Sequence, residues 1–144
     1  SQSIVPMEYF QVYAANHEID TMEYISQLDG YSYYMMNIID YLVGNTDRHW
    51  GNWGLLVDNS TNQPIRLYDL MDFNKTFQIY DTLEGANCLT VSARMTQKEA
   101  AIEAVKSIGL NQIREVDSKW FTDIAVRTMF EKRLALLKAQ EKAE

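Results

Sequence analysis

The chain has 144 residues, of which 47% are apolar and 23% charged, a composition and length typical of one folded globular domain. Its formal net charge of −7 disfavours direct binding of nucleic acid, because such binding relies on a basic surface for the phosphates. Cys88 is the only cysteine, so an internal disulfide is excluded and a cytoplasmic location is expected.

The first part of the chain predicts two helices between residues 4 and 29. Its first six residues lack the basic and apolar regions of a signal peptide, and no stretch approaches the roughly 18 apolar residues of a membrane span. We therefore expect no membrane partner. Met7, Phe10 and Ala14 recur at helical spacing, and Asp20 or Thr21 is suited to cap the second helix. Both helices are interpreted as packing elements.

Asp29-Gly30 interrupts this pattern, and a strongly apolar helix is predicted from Tyr31 to Val43. The predicted core face of this helix consists of Met35, Ile38, Ile39 and Leu42. A polar, glycine-rich stretch, residues 44–54, follows it. Asp47 precedes Asn52 by the interval that separates the proton-accepting aspartate from the metal-binding asparagine in phosphotransferase catalytic loops. The amide oxygen of Asn52 is a ligand that Mg²⁺ favours.

A β-hairpin is predicted next, with strands at 53–57 and 65–68 and a polar turn between them. Because the second strand returns antiparallel to the first, Asp69 is expected beside Asn52, where it can serve as a second metal ligand. Asp72 is the other candidate ligand. Asp69 is favoured because it follows the strand directly, and both aspartates can also share metals.

The rest of the chain is predicted to be irregular from 77 to 90 and then helical. Thr96 and Glu99 form a capping box that opens a helix over 97–108, which Gly109 ends. A short helix is expected at 111–116 and a long one after Asp117 or Ser118. The predicted core stripe of the long helix is Phe121, Ile124, Ala125, Met129, Leu134 and Leu137.

The loop also resembles two known kinase families. Asp47-Arg48-His49-Trp50-Gly51-Asn52 is similar to the D-R-H-x-x-N loop of phosphatidylinositol-kinase-like proteins, and residues 45–52 resemble the N-x-D-x-H-x-x-N loop of HipA-like protein kinases. The apolar helix before the loop and Tyr68-Asp69 also look like the HipA pattern, which we prefer. The resemblance is specific from about residue 31 to residue 77.

The HipA resemblance implies a mainly α fold with a small β-hairpin, as the C-terminal lobe of a protein-kinase-like fold. The implied lobe is a single domain over residues 1–144, with the catalytic loop at 44–54, the hairpin at 53–69 and a helical remainder at 96–142. The implied activity is ATP-dependent phosphoryl transfer to a protein Ser/Thr hydroxyl with Mg²⁺, as in kinases of toxin–antitoxin systems. The chain has no G-x-G-x-x-G loop and no V-A-I-K lysine, so the ATP-clamping N-terminal lobe is expected to be truncated or on a separate chain.

The resemblance assigns a catalytic role to Asp47, as the base, and to His49, which either fixes the loop or touches the transferring phosphate. Asn52 and Asp69 are assigned to the metal and the nucleotide, with Asp72 as a further metal ligand.

Asn45 and Arg48 are expected to support the loop. Three alternatives stay open: a non-catalytic module that binds nucleotide or a partner, as a pseudokinase or split-kinase half; a lipid kinase; and a purely structural polar turn.

Overall fold

The computed structural model describes residues 1–45, 48–69, 95–111 and 123–142, with Asp69 described through its backbone alone. In these ranges the fold is mixed α/β, with four helices and one three-stranded antiparallel sheet, in agreement with the expected helices and hairpin. No helix within the described ranges is long and apolar enough to cross a membrane. The elements in chain order are β1 (Gln2–Pro6), α1 (Met7–Asn16), α2 (Thr21–Val43), β2 (Trp53–Asp58), β3 (Gln63–Asp69), α3 (Gln97–Ile108) and α4 (Ile124–Lys142).

The described residues divide into two compact units. The first consists of residues 1–33 and 48–69 and holds the sheet, α1 and the beginning of α2. The second consists of residues 34–45, 95–111 and 123–142 and holds the end of α2 with α3 and α4. The division falls within α2.

The sheet of the first unit has the order β1-β2-β3. The predicted hairpin is confirmed as β2 and β3, whose register pairs Trp53 with Asp69. The expectation of a helix from Ile4 is wrong, because residues 2–6 form a strand in which Ile4 pairs with Leu56. Two β-branched residues favour an extended backbone here, Pro6 stops any helix that would run through it, and the hairpin edge offers backbone partners.

Close pairing of β1 and β2 depends on Gly54. A Cβ atom at this position would lie 2.3 Å from the carbonyl oxygen of Val5, which is closer than any real contact. A residue with a side chain at Gly54 would therefore force β1 and β2 apart.

The helix α1 contacts β2. It buries Met7, Phe10 and Ala14, as their helical spacing predicted.

The helix α2 begins where the sequence predicted and bends where it predicted a break. Asp20 Oδ1 accepts hydrogen bonds from the amides of Met22 and Glu23, at 3.0 and 3.2 Å, and so caps the helix. Asp29 has non-helical backbone angles (φ −157°, ψ 60°) that kink α2. Its Oδ2 accepts the amide of Leu67 at 3.0 Å, so the kink residue also satisfies a backbone donor of β3.

The core of the second unit lies between the end of α2, α3 and α4. Its buried residues are Ile38, Tyr41, Leu42, Ala101, Ala104, Val105, Leu110, Phe130, Leu134 and Leu137. Ile39, expected in the core face of α2, is exposed instead. The predicted capping box of Thr96 and Glu99 is confirmed, and Gly109 (φ +75°) ends α3 as predicted.

The last helix, α4, begins at Ile124, where Asp123 Oδ1 accepts the amides of Ala125 and Val126. Ile124 and Ala125 are exposed, so their predicted place in the core is wrong. The buried stripe is rotated around the helix to Val126, Met129, Phe130, Arg133, Leu134 and Leu137. The predicted caps Asp117 and Ser118, the core residue Phe121, and the segments 77–90 and 112–116 lie outside the described residues.

Candidate active site

The candidate loop begins with a Schellman motif, a common helix ending in which two amides after the helix bond back to its last carbonyls. The amide of Gly44 donates to the carbonyl of Tyr41 at 3.3 Å, and the amide of Asn45 donates to that of Asp40 at 2.9 Å. Gly44 has a φ of +66°, a conformation that favours glycine. The motif ends α2 and fixes the direction in which the chain enters the loop.

Asn45 is buried in this turn, with 1% of its surface exposed. Its side-chain amide donates to Asp40 Oδ1 at 3.0 Å, and its carbonyl accepts a hydrogen bond from the side-chain amide of Gln97. Asp40 and Gln97 are also buried. We call Asp40, Asn45 and Gln97 the buried polar cluster. Its hydrogen bonds are the kind of loop support expected of Asn45, and they fix the chain two residues before Asp47.

A buried arginine of α4 bonds to the last turn of α2. Arg133 of α4 is fully buried, and its Nη1 donates to the carbonyl of Tyr41. The guanidinium carbon lies 4.8 Å from the centroid of the Tyr41 ring, within cation–π distance. Burial raises the pKa of the Tyr41 hydroxyl, and the Arg133 charge opposes that rise. A positive charge at the C-terminal end of a helix is also favourable for the helix dipole.

The second half of the loop, Arg48–Asn52, is a turn closed on itself in the first unit. The amide of His49 donates to Asn52 Oδ1 at 3.1 Å, and the amide of Asn52 donates to the carbonyl of His49 at 3.2 Å. Arg48 Nη1 donates to the carbonyl of Asn52 at 3.2 Å. The side-chain oxygen of Asn52 is thus held in one orientation.

His49 is exposed, and its ring takes part in this turn. Its Nδ1 accepts the amide of Gly51 at 3.0 Å, so the neutral ring carries its proton on Nε2. A Cβ atom on Gly51 would lie 3.2 Å from the His49 ring, so a side chain there would displace that ring by a few tenths of an ångström. His49 therefore shapes the loop and presents a donor nitrogen on its outer side.

The turn is also attached to the fold behind it. The carbonyl of Trp50 accepts the amide of Glu8, in the first turn of α1, at 2.9 Å. The Trp50 ring stacks on the buried Trp53 ring with centroids 5.5 Å apart. Because Trp53 pairs with Asp69 across the hairpin, the backbone of Asp69 lies beside the residue that follows Asn52, as the hairpin predicted.

The predicted acidic groups are not described at the level of their side chains. Asp47 and Asp72 lie outside the described residues, as does the side chain of Asp69. Within the described ranges, no three His, Cys, Asp or Glu side chains form a group that could hold a metal ion. The donor chemistry of Asn52 fits Mg²⁺, because an amide oxygen has two lone pairs and can accept the His49 amide and bind a cation.

Sequence reasoning missed the residues that hold the start of the loop. Asp40 was the one detectable signal, since it is the only Asp or Glu in the apolar stretch 34–43. Gln97 and Arg133 are 52 and 92 residues away from the backbone groups that they bond. No local pattern connects residues at such separations.

Comparisons of the chain with protein-family models, with curated proteins and with solved structures found no match. The kinase resemblance therefore depends on the residues of the apolar helix, the loop and the hairpin in this sequence alone.

Proposed function

We propose that this chain is the catalytic half of an ATP-dependent kinase that phosphorylates Ser or Thr hydroxyls of a protein, as a C-terminal lobe of the HipA-like type. The observation that carries the proposal is the closed Arg48–Asn52 turn beside the Trp53/Asp69 pair. This arrangement orients an amide oxygen next to the backbone of an aspartate. Hairpins and polar turns are common, but their combination with the D-x-x-x-x-N interval is typical of kinase catalytic loops.

In this proposal Asp47 accepts the proton of the attacking hydroxyl. The buried polar cluster holds the chain at Asn45, two residues earlier in the sequence. His49 Nε2–H donates to an oxygen of the transferring phosphate, while Nδ1 keeps the turn closed. Arg48 acts on the loop backbone and is a supporting residue.

Asn52 and Asp69 hold Mg²⁺ and, through it, the ATP phosphates, and Asp72 is the alternative to Asp69. When bound, Mg²⁺ offsets the charge that develops on the phosphates. The glycine-rich loop and strand lysine that clamp ATP in complete kinases do not occur in the 144 residues. The proposal therefore includes an N-terminal lobe, on the same polypeptide or another, as a partner of this chain.

Calorimetric titration with Mg²⁺ and ATP tests the metal assignment. We expect Asn52→Ala and Asp69→Ala each to lower the affinity about tenfold or more. Asp58→Ala is the matched control, because Asp58 lies at the far end of β2 and bonds locally to Ser60. Equal affinity in the unsubstituted chain and these three variants would contradict the assignment. A fourth variant, Asp72→Ala, tests the alternative ligand: loss of affinity in Asp72→Ala with none in Asp69→Ala would move the ligand to Asp72.

Transfer of labelled phosphate from ATP to Ser- and Thr-containing peptides tests the reaction, with the N-terminal lobe supplied. Asp47→Asn is expected to abolish transfer and retain Mg²⁺-ATP binding. Binding without transfer by the unsubstituted protein would favour the non-catalytic kinase-like module. Transfer to phosphoinositide vesicles in place of peptides would favour the lipid kinase.

A further inference from the structure

A groove of about 460 Å³ lies in the first unit, between α1, the start of α2 and the hairpin. Four of its lining residues are aromatic, and the hairpin turn adds two side-chain amides: Tyr9, Phe10, Tyr13, Tyr24, Asn62 and Gln63. The other lining residues are aliphatic. Its volume is within the range of pockets that bind small ligands or a few side chains.

The aromatic side of the groove has a buried floor and an exposed rim. Phe10 is 7% exposed, and its ring centroid lies 4.9 Å from that of Tyr24 and 5.9 Å from that of Tyr13. Tyr9 and Tyr13 are 64% and 51% exposed. Burial and, to a lesser extent, the neighbouring Tyr13 hydroxyl raise the pKa of Tyr24. The rim exposes the Tyr9 ring and the part of the Tyr13 ring that the stacked His17 ring leaves uncovered.

Some residues next to the groove-lining residues in the sequence carry exposed carboxylates. Residues 1–47 include seven Asp or Glu and no Lys or Arg. Glu23 is the chain neighbour of the lining residue Tyr24, and Glu18 that of the lining residue Ile19; both carboxylates are exposed.

The basic side chains of the first unit lie elsewhere. Among its described residues they are Arg48, which bonds to the carbonyl of Asn52, and Arg66, which lies 5.5 Å from the Tyr68 ring centroid. Arg66 pairs with Leu56, whereas the groove is lined by its neighbours Leu55 and Val57, so Arg66 is on the other face of the sheet. Neither arginine lines the groove, whereas the His17 ring stacks on that of the lining residue Tyr13, with centroids 4.0 Å apart.

We propose that the groove binds a segment of a partner protein that carries Lys or Arg beside apolar residues. Cations are attracted to tyrosine faces and to the adjoining carboxylates, and apolar side chains fill the space over Phe10 and Leu55. The amides of Asn62 and Gln63 supply hydrogen bonds for a peptide backbone. The same charges disfavour an acidic or phosphate-bearing ligand. None of the groove residues belongs to the Arg48–Asn52 turn, so this proposal is independent of the kinase assignment.

The first test is an NMR titration of the chain with a short capped peptide of Arg, Pro and Leu, beside the same peptide with Glu in place of each Arg. We expect saturable binding of the Arg peptide, with shifts confined to the groove residues, and weaker binding at higher ionic strength. The Glu peptide is expected not to bind. Equal binding of both peptides, or no binding of the Arg peptide, would overturn the proposal.

Substitutions then locate the site. Tyr9→Ala and Tyr13→Ala are each expected to weaken binding of the Arg peptide about tenfold. Both side chains are exposed, so the fold should persist, which thermal unfolding checks. Val12→Ala and Tyr31→Ala are matched controls, since both residues are exposed in the same unit outside the groove.

Charge variants separate the electrostatic contribution. The double change Glu18→Gln and Glu23→Gln is expected to weaken binding of the Arg peptide about threefold. Glu103→Gln, in the second unit, is the control and is expected to leave that binding unchanged. Binding that none of the groove variants alters would refute the site. Self-association of the chain that Tyr13→Ala abolishes would assign the groove to a second copy and overturn the partner segment.

Discussion

The two halves of the candidate loop are held by different means. At the end of α2 and the start of the loop, the carbonyls of Tyr41 and Asn45 accept buried hydrogen bonds from Arg133 and Gln97, both far away in the sequence. From Arg48 to Asn52 the hydrogen bonds that close the turn join residues at most four positions apart, one backbone bond ties Trp50 to Glu8, and the histidine of the turn is exposed. Water can replace a lost bond in the second half, whereas a polar group stripped of its partner in the first half stays unsatisfied. The first half is thus suited to fixing position, and the second is suited to meeting a ligand.

Gly54→Ala, for which we expect the largest effect, tests whether the Arg48–Asn52 turn depends on the pairing of β2 with β1. Gly54→Ala places a Cβ against the Val5 carbonyl and should separate β1 from β2, at a cost of about 3 kcal/mol or more in the free energy of unfolding. Urea denaturation measures this cost, and amide exchange of Asn52 shows whether the turn opens with the strands. Gly30→Ala is the control, because a Cβ there meets nothing within 4 Å. A cost under 1 kcal/mol for Gly54→Ala would contradict the tight pairing.

Gln97→Ala tests the buried half. It removes the donor to the Asn45 carbonyl and should cost about 1–3 kcal/mol, because that carbonyl loses its side-chain donor in a buried place. Denaturant unfolding measures the loss, beside Gln27→Ala, an exposed glutamine in α2. If the two variants were equally stable, the buried polar cluster would not hold the loop.

His49→Ala tests the exposed half. The turn loses one hydrogen bond to a group that water can reach, so the free energy of unfolding should change by about 0.5 kcal/mol or less. Under the proposed function the same variant lowers the rate of phosphate transfer. A large loss of stability would show that the two halves are held alike.

Tyr41→Phe sharpens the comparison inside the buried half. No hydrogen-bond partner for the Tyr41 hydroxyl exists among the described residues, so its removal should be neutral or slightly stabilising near pH 7. Burial raises the pKa of the Tyr41 hydroxyl in the folded protein above its ordinary value of 10.0. Above about pH 10 the unfolded state therefore loses this proton first, and the folded state loses stability as pH rises.

The measurement is chemical denaturation at neutral pH and above pH 10. We expect Tyr41→Phe to lose less stability over that range than the unsubstituted chain, and the exposed control Tyr31→Phe to behave like the unsubstituted chain. An unchanged alkaline loss in Tyr41→Phe would attribute it to other groups.

Local signals in the sequence were sufficient for the elements that local chemistry controls. The capping box at Thr96 and Glu99, the cap at Asp20, the break at Asp29 and the hairpin all involve residues a few positions apart, or a turn with strong β-formers on both sides. The hairpin register followed from the turn, and it correctly placed Asp69 opposite the start of β2. The sequence alone also singled out Asn52 and His49 by residue type and spacing, and their proposed roles stay predictions.

The tertiary structure decided what distant residues contribute. Residues 2–6 became a strand because the hairpin offered an edge, and Ile124 and Ala125 left the core because the contacts of α4 rotated its buried stripe. The donors to the backbone carbonyls of Asn45 and Tyr41 come from α3 and α4 for the same reason, since packing brings these helices to the end of α2. Short-range spacing records only what neighbours in the chain can do, whereas a buried polar group is satisfied by whichever side chain the packed helices bring to it.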